Sequence, residues 1–238
     1  MDVNEDKFNY SKKYNDVICK QTKITKIEID NLKRRTLRWV KMFINLRILI
    51  CPNNKIISIH GLYDCVNLED LNISSNNLKT LDGLKSNLRL KYLNCSGNEI
   101  CSLRSLTNCI NLEHLNCSSN DIVSLEGLEK SVKLREIQCN DNHRLISLKG
   151  IQNCFELEKI QCSYCRIQSL KWLRKCVNLK WLQCGFNHIT NTNGIEMTNK
   201  IETLWLTGNM KIDNIECFNK YINIMELFFS VTSVTTLK

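Results

Sequence analysis

The chain has 238 residues, of which 43% are hydrophobic, and 33 lysines and arginines against 24 acidic residues give it a net charge of +9. This apolar share is ordinary for a folded protein and argues against a disordered chain. No stretch approaches the ~20 apolar residues that span a bilayer, and the charged residues 1–10 do not resemble a secretory signal. We therefore expect a cytoplasmic protein that is neither secreted nor bound to a membrane.

The first 45 residues differ from the rest of the chain. Residues 1–23 are predicted to form an N-terminal cap, and residues 24–45 a degenerate first repeat, because terminal repeats commonly lose their pattern. This region holds eleven lysines and arginines against six acidic residues, so it carries +5 of the net charge. Its basic run Lys33, Arg34 and Arg35 is consistent with nuclear targeting or, more simply, with the solvated surface of a cap.

A repeat of 22 or 23 residues divides residues 46–223 into eight units. The units begin at Leu46, Leu68, Leu90, Leu112, Leu134, Leu157, Leu179 and Ile201. Each opens with the pattern apolar-x-x-apolar-x-apolar-x-x-Asn, in which the fourth and sixth positions alternate as a half-buried strand requires. The asparagine comes where the chain leaves the strand, and its amide can bond backbone groups of the turn.

The second part of each unit returns the chain to the next strand. Its apolar residues are spaced by three, three and four, as in Ile122, Leu125, Leu128 and Val132, which favours a 3₁₀ or irregular return. Residues 224–238 form a truncated C-terminal repeat or cap without an amphipathic helix. Such an edge leaves backbone groups unpaired, so we expect either weak self-association through it or a tail that folds back as a last strand.

These repeats resemble the 22-residue class of leucine-rich repeats found in internalins and in a regulatory subunit of protein phosphatase 1. The resemblance covers roughly residues 24–238, and Cys165, which replaces the recurrent asparagine, is a substitution that the family pattern tolerates. It implies an α/β solenoid that is mostly β. We expect a right-handed arc of nine to ten strands, with one parallel concave sheet and short 3₁₀ or irregular convex returns.

The fourteen cysteines mostly occupy repeat positions. Ten lie at two inward positions, namely Cys51, Cys95, Cys117, Cys139, Cys162 and Cys184 in the strands and Cys65, Cys109, Cys154 and Cys176 in the returns. Free cysteine packs there as a small apolar residue, although disulfides between adjacent strands are geometrically allowed. The spacing Cys162-x2-Cys165 with Cys184-x3-His188 resembles a zinc site, but it arises from the repeat itself. We expect no metal and no cofactor.

Positions two, three, five, seven and eight of each unit should face solvent on the concave sheet. Eight residues there are predicted to bind a partner: Tyr92, His114, Glu136, Lys159, Tyr164, Trp181, Phe186 and Trp205. A tryptophan on a solvent-facing strand position has no packing role, which favours an interface anchor. The alternative is that a C-terminal cap covers Trp181 and Trp205, with Phe228 stacking there. The fifth-position amides, from Asn72 to Gln183, are predicted to bond one another between strands.

The same positions argue against two other functions. Acidic residues outnumber basic ones across positions two and three, whereas a groove that follows nucleic acid should be basic. His114 beside Glu136 has no water-excluding pocket around it, so we expect no enzyme. The sequence predicts a non-enzymatic interaction module or scaffold that binds an unidentified protein on its concave face. The alternatives are a basic nucleic-acid adaptor and a structural solenoid without a dedicated ligand.

Overall fold

The computed structural model describes residues 23–29, 35–196, 198–210, 212 and 221–229. Within these residues, ten strands form one parallel sheet in which every strand pairs with the next along the chain. The strands are β1 Lys26–Glu28, β2 Ile48–Ile50, β3 Asp70–Asn72, β4 Tyr92–Asn94, β5 His114–Asn116, β6 Glu136–Gln138, β7 Lys159–Gln161, β8 Trp181–Gln183, β9 Thr203–Trp205 and β10 Glu226–Phe228. The predicted solenoid with one parallel sheet is confirmed.

Equivalent positions of successive units stack in register. Leu71 of β3 pairs with Leu93 of β4, and Ile137 of β6 pairs with Ile160 of β7. Because strand side chains alternate between the two faces, the fourth position of every unit enters the core while the third and fifth face the concave surface. The fourth- and sixth-position side chains of the eight units are at most 2% exposed. The core is therefore a continuous column along the whole solenoid.

The convex returns are short, as expected. In the described part of the chain they contain five 3₁₀ helices, at Arg38–Met42, His60–Asp64, Asp82–Leu84, Arg104–Leu106 and Lys171–Leu173. Ile122, Leu125 and Leu128 are buried, but Val132 is exposed and Ser131 takes the inward place. The predicted spacing of four residues between Leu128 and an inward Val132 was therefore wrong. Val132 lies in the turn before the next strand, and its side chain points outward.

Glycine in the returns allows the units to stack closely. A Cβ atom on Gly127 would lie 2.2 Å from the carbonyl oxygen of Leu103 in the preceding unit. Its φ of 112° is also one that side-chain-bearing residues rarely adopt. A larger residue at this position would push two units apart, so glycine here is required by the stacking distance.

The recurrent asparagines join neighbouring units. The Nδ2 group of Asn120 donates to the carbonyl oxygens of Cys95 and Cys117 at 3.1 Å, and its Oδ1 atom accepts from the amide of Ile100 at 2.9 Å. Cys165 can stand in for asparagine because the preceding unit has one extra residue. There the amide of Leu145 donates to the carbonyl of Asn142, while the Cys165 thiol donates to the carbonyl of Cys139 at 3.3 Å.

Candidate functional site

The second positions of the strands form a ladder of alternating charge along one side of the concave face. In chain order the ladder is Arg47, Glu69, Lys91, Glu113, Arg135, Glu158, Lys180 and Glu202. Arg47 and Lys91 both pair with Glu69, at 2.8 and 3.3 Å, and Lys180 pairs with Glu158 at 3.0 Å. The Lys180 hydrogen bond lowers the pKa of Glu158. Counting acids against bases missed this alternation, which makes the ladder neutral rather than basic or acidic.

The third positions bring five of the predicted residues into one row of direct contacts. The Tyr92 ring stacks on the His114 ring with centroids 4.9 Å apart, and His114 Nδ1 lies 3.6 Å from Glu136 Oε2. Lys159 Nζ lies 2.9 Å from Glu136 Oε1 and 5.7 Å from the centre of the Trp181 ring. The row runs from β4 to β8. Its aromatic ends are exposed, whereas its charged middle is half-buried.

Two carboxylates at this position have opposite pKa shifts. Burial raises the pKa of Asp70, and the distant charge of Lys26 only partly opposes this. Burial also acts to raise the pKa of Glu136, but hydrogen bonds from Gln138 and Lys159 outweigh it and lower the pKa. Glu136 is therefore held as an anion inside the row, where it fixes the position of Lys159.

The eighth position has a left-handed backbone in every one of the eight units. The residues there are Asn53, Ser75, Gly97, Ser119, Asp141, Tyr164, Phe186 and Gly208. Asparagine, aspartate and glycine accept such dihedrals, but Tyr164 and Phe186 adopt φ of 57° and 55° with bulky side chains. Left-handed dihedrals cost an ordinary L-residue about 1–2 kcal/mol. Their rings stack at 4.5 Å and stay 49% and 44% exposed.

Small residues beside these aromatic rings make room for them. A Cβ atom on Gly208 would lie 2.6 Å from Cδ1 of Phe186, and one on Gly185 would lie 3.3 Å from Cδ1 of Trp205. Trp205 stacks on Phe228 with ring centroids 4.7 Å apart. The expected cover by Phe228 is thus present at Trp205, whereas Trp181 contacts Lys159 and remains 38% exposed.

The fifth-position amides only partly behave as predicted. Asn72 Oδ1 accepts from the hydroxyl of Ser74 at 2.8 Å, and Asn94 accepts from Ser96 in the same way at 2.7 Å. Among the described fifth-position amides, only Gln161 bonds its neighbour across strands, donating to Gln183 at 2.9 Å. The prediction of an interstrand amide ladder was therefore wrong for the first units, because their serines provide a nearer partner.

The cysteine columns lie in the core. Burial raises the pKa of Cys51 and Cys95 to about 12, so these thiols stay protonated and pack as apolar groups. Cys162 and Cys184 are buried, whereas His188 is exposed. Within the residues that the structure describes, no three or more His, Cys, Asp or Glu side chains are placed to hold a metal ion. None of the helices described is long and apolar enough to cross a membrane.

The repeat geometry agrees with comparisons to known proteins. A family model of two leucine-rich repeats matches residues 44–86. The functional domain of InlJ from Listeria monocytogenes, described as including a cysteine ladder, aligns over 92% of this chain with a TM-score of 0.82 and 23% identity. The chain therefore has the leucine-rich-repeat fold. It spans only 46% of the InlJ domain.

Two further structures share this leucine-rich-repeat fold. Internalin C2 from Listeria monocytogenes has a TM-score of 0.73 and 17% identity, over 90% of this chain and 84% of its own. A leucine-rich-repeat protein from Leptospira interrogans has a TM-score of 0.63 and 19% identity, over 83% of this chain and 58% of its own. None of the curated proteins has a matching sequence. At these identities the likeness concerns the fold alone.

Proposed function

We propose that this leucine-rich-repeat protein is a non-enzymatic interaction module that binds a protein partner on the C-terminal half of its concave face. The observation that carries the proposal is the left-handed backbone of Tyr164 and Phe186 beneath exposed rings. Four of the other six units hold asparagine, aspartate or glycine at this position, which accept such dihedrals, and the remaining two hold serine; none of the six places a ring there. Strained residues persist where the surrounding structure enforces them, and they cluster at functional sites.

The binding surface that we propose is an aromatic patch of five residues: Tyr164, Trp181, Phe186, Trp205 and Phe228. Exposed tryptophan and tyrosine side chains are enriched among the residues that dominate binding energy at protein interfaces. Polar groups surround the patch, since Lys159 lies over Trp181 and Gln161 bonds Gln183 beside it. The row from Tyr92 through His114 and Glu136 extends this surface toward the N-terminus.

Charge favours a protein partner over nucleic acid. A nucleic-acid groove needs cations that are free to replace the counterions of the phosphates. On the concave face Arg47 and Lys91 are paired with Glu69, and Lys159 is paired with Glu136. A structural solenoid without a ligand is the other alternative, and it gives no reason to place rings on strained positions. The cytoplasmic location expected from the sequence stays a prediction.

The test is to select peptide ligands for the full chain from a phage-displayed library and to measure their affinity for variants. Tyr164→Asn with Phe186→Asn should weaken the selected peptides at least 10-fold. The same double variant should be no less stable, because it removes backbone strain. Tyr63→Ser, at an exposed residue of a convex 3₁₀ helix, is the matched control. Ligands that bind the double variant and the wild type equally well would contradict the proposal.

A further inference from the structure

A second apolar surface runs along one flank of the solenoid, away from the concave face. It is a row of the penultimate residues of seven successive units, which we name the flank stripe: Ile44, Val66, Leu88, Ile110, Val132, Phe155 and Val177. Each of these side chains is 43–50% exposed. Because stacked strands are ~4.8 Å apart, the stripe is continuous over about 30 Å. In the next unit Asn199 takes this position, so the stripe ends there.

Several charged residues beside the flank stripe have no ion-pair partner among the residues that the structure describes. Lys41, Asp64, Arg89 and Lys175 are all exposed, and none forms an ion pair with the described part of the chain. The other charges there include Glu156, which lies 3.6 Å from Arg135. Protein interfaces commonly have an apolar core surrounded by a polar rim. In a separate subunit, such an interface appears as a continuous apolar row with unpaired charges around it.

We propose that the flank stripe is the contact surface of a two-fold homodimer in which two stripes lie antiparallel. The axis passes between Ile110 and Val132, so each of these residues meets the other from the second copy. Moving outward, Leu88 then faces Phe155 and Val66 faces Val177. Six of the seven stripe residues find an apolar partner in this arrangement, as the self-complementary surface of a two-fold dimer requires.

The flanking charges fit this position of the axis. Counting equal steps from it places Asp64 opposite Lys175, Arg89 opposite Glu156 and Lys41 opposite Glu196. These are three opposite-sign pairs, and no like charges face each other at the eighteenth, nineteenth and last positions of the units that the structure describes. One position of the two-fold axis therefore pairs apolar residues along the stripe and opposite charges on either side of it.

Neighbouring positions of the axis fit less well. An axis through Ile110 places Arg89 opposite Lys133. An axis through Val132 places Lys130 and Lys133 each opposite its own copy. An axis one unit nearer the N-terminus also pairs six of the seven stripe residues, but it forms one opposite-sign pair, Asp64 with Lys130, where the central axis forms three. An axis one unit nearer the C-terminus sets Arg89 against Lys200. Like charges brought together at an interface cost affinity and opposite charges favour it, so charge selects the central register.

The curvature of the fold is compatible with this dimer. The two-fold axis lies between the two flanks and is perpendicular to both stripes. Rotation about it makes the two solenoids antiparallel, while both concave faces stay on the same side of the dimer. The two arcs then curve alike, and both aromatic patches stay open. We expect about 600 Å² to be buried per protomer, which is below the ~800 Å² of a standard interface and within the range of weak, transient association.

The first experiment is sedimentation velocity of the full chain from about 1 to 200 μM. Wild-type protein should show a monomer–dimer equilibrium, and Ile110→Glu with Val132→Glu should weaken it at least 30-fold. Ile146→Glu is the matched control, because Ile146 is equally exposed but lies outside the stripe. The melting temperature of each variant should stay near that of the wild type, since these side chains are not in the core. A wild-type protein that is monomeric throughout overturns the proposal.

A charge exchange tests the register. Asp64→Lys should weaken the dimer because it then faces Lys175, and adding Lys175→Asp to the same chain should restore it. A dimer that survives both changes in the stripe but is lost with Phe228→Lys and Val231→Lys would instead assign self-association to the C-terminal edge. Val231 lies outside the described residues, and that edge remains a separate expectation from the sequence.

Discussion

The N-terminal and C-terminal halves of the concave face share one backbone but use it differently. In the first half, Asn72 and Asn94 bond the serine two residues later, and small residues such as Ser75 take the left-handed position. In the second half, that position holds the stacked rings of Tyr164 and Phe186. Because the first half shows that the fold does not need these rings, the comparison separates residues that build the solenoid from residues available to bind.

The largest expected effect is on stability, and it tests whether the buried asparagines that join the repeats contribute equally in both halves. The Nδ2 groups of Asn76 and Asn187 each share their two hydrogens among three backbone carbonyl oxygens, and each Oδ1 atom accepts from one backbone amide. Replacing either with alanine leaves several buried groups unpaired, at about 1–3 kcal/mol per group, so each variant should lose about 4 kcal/mol of unfolding free energy. Urea denaturation measures both. Losses that differ by more than about 2 kcal/mol would mean that the two halves are built differently.

A smaller effect is expected in binding. Trp181→Ala and Trp205→Ala should each weaken a peptide selected on the wild-type protein by about 2 kcal/mol or more, because tryptophan anchors dominate interfaces. Tyr92→Ala, in the first half, should cost less than about 1 kcal/mol. Isothermal titration calorimetry gives all three values. If Tyr92→Ala had the largest effect, the binding site would lie on the N-terminal half instead.

The strain at the eighth position can be moved from one half to the other. Gly97→Tyr should destabilise the protein by about 1–2 kcal/mol, because it places a Cβ and a bulky side chain on a backbone with a φ of 64°, without the stacking partner that Tyr164 has. Tyr164→Asn should give a gain of about 1 kcal/mol or less, since it also removes the ring stack. Thermal unfolding of both variants would show opposite signs. If both variants changed thermal stability in the same direction, backbone strain would not explain the difference between the halves.

The fold could be predicted from the sequence because the leucine spacing and the recurrent asparagines both indicate the same repeating unit. The spacing of leucines such as Leu71 and Leu93 fixes which side chains enter the core, and the asparagines mark where each strand ends. The outward third and fifth positions also followed from strand alternation, which is why Trp181 and Trp205 were placed on the exposed face. What could not be derived is how outward side chains choose partners, since that depends on distances between neighbouring units.

Two missed features nevertheless had signals in the sequence. Residues that tolerate left-handed dihedrals recur at the eighth position, as in Asn53, Gly97 and Asp141, so that backbone could have been predicted and Tyr164 recognised as strained. The flank stripe was missed because Val132 was grouped with the inward residues of its return. The buried column of Cys109, Ser131 and Cys154 already filled that place, and two adjacent positions cannot both point inward in a turn.

The smallest expected effect concerns Glu136, which lies in the row that joins the two halves. Its side chain is 25% exposed, and hydrogen bonds from Gln138 and Lys159 outweigh burial and hold its pKa below the ordinary value of 4.5. A carboxylate whose pKa is lower in the folded state stabilises the fold above the unfolded pKa. That contribution is lost as the pH falls through the lower folded value.

Glu136→Gln should therefore cost at most about 1 kcal/mol at pH 7, because the pair is only partly shielded from solvent. The difference between wild type and variant should shrink as the pH falls below 4.5, and it should vanish once Glu136 is protonated in both states. Urea unfolding at a series of pH values measures this difference. Since Glu136 also holds Lys159 over Trp181, the variant should weaken peptide binding at pH 7 by less than Trp181→Ala does. A stability difference that stays constant from pH 7 to pH 2.5 would show that the charge of Glu136 does not connect the two halves.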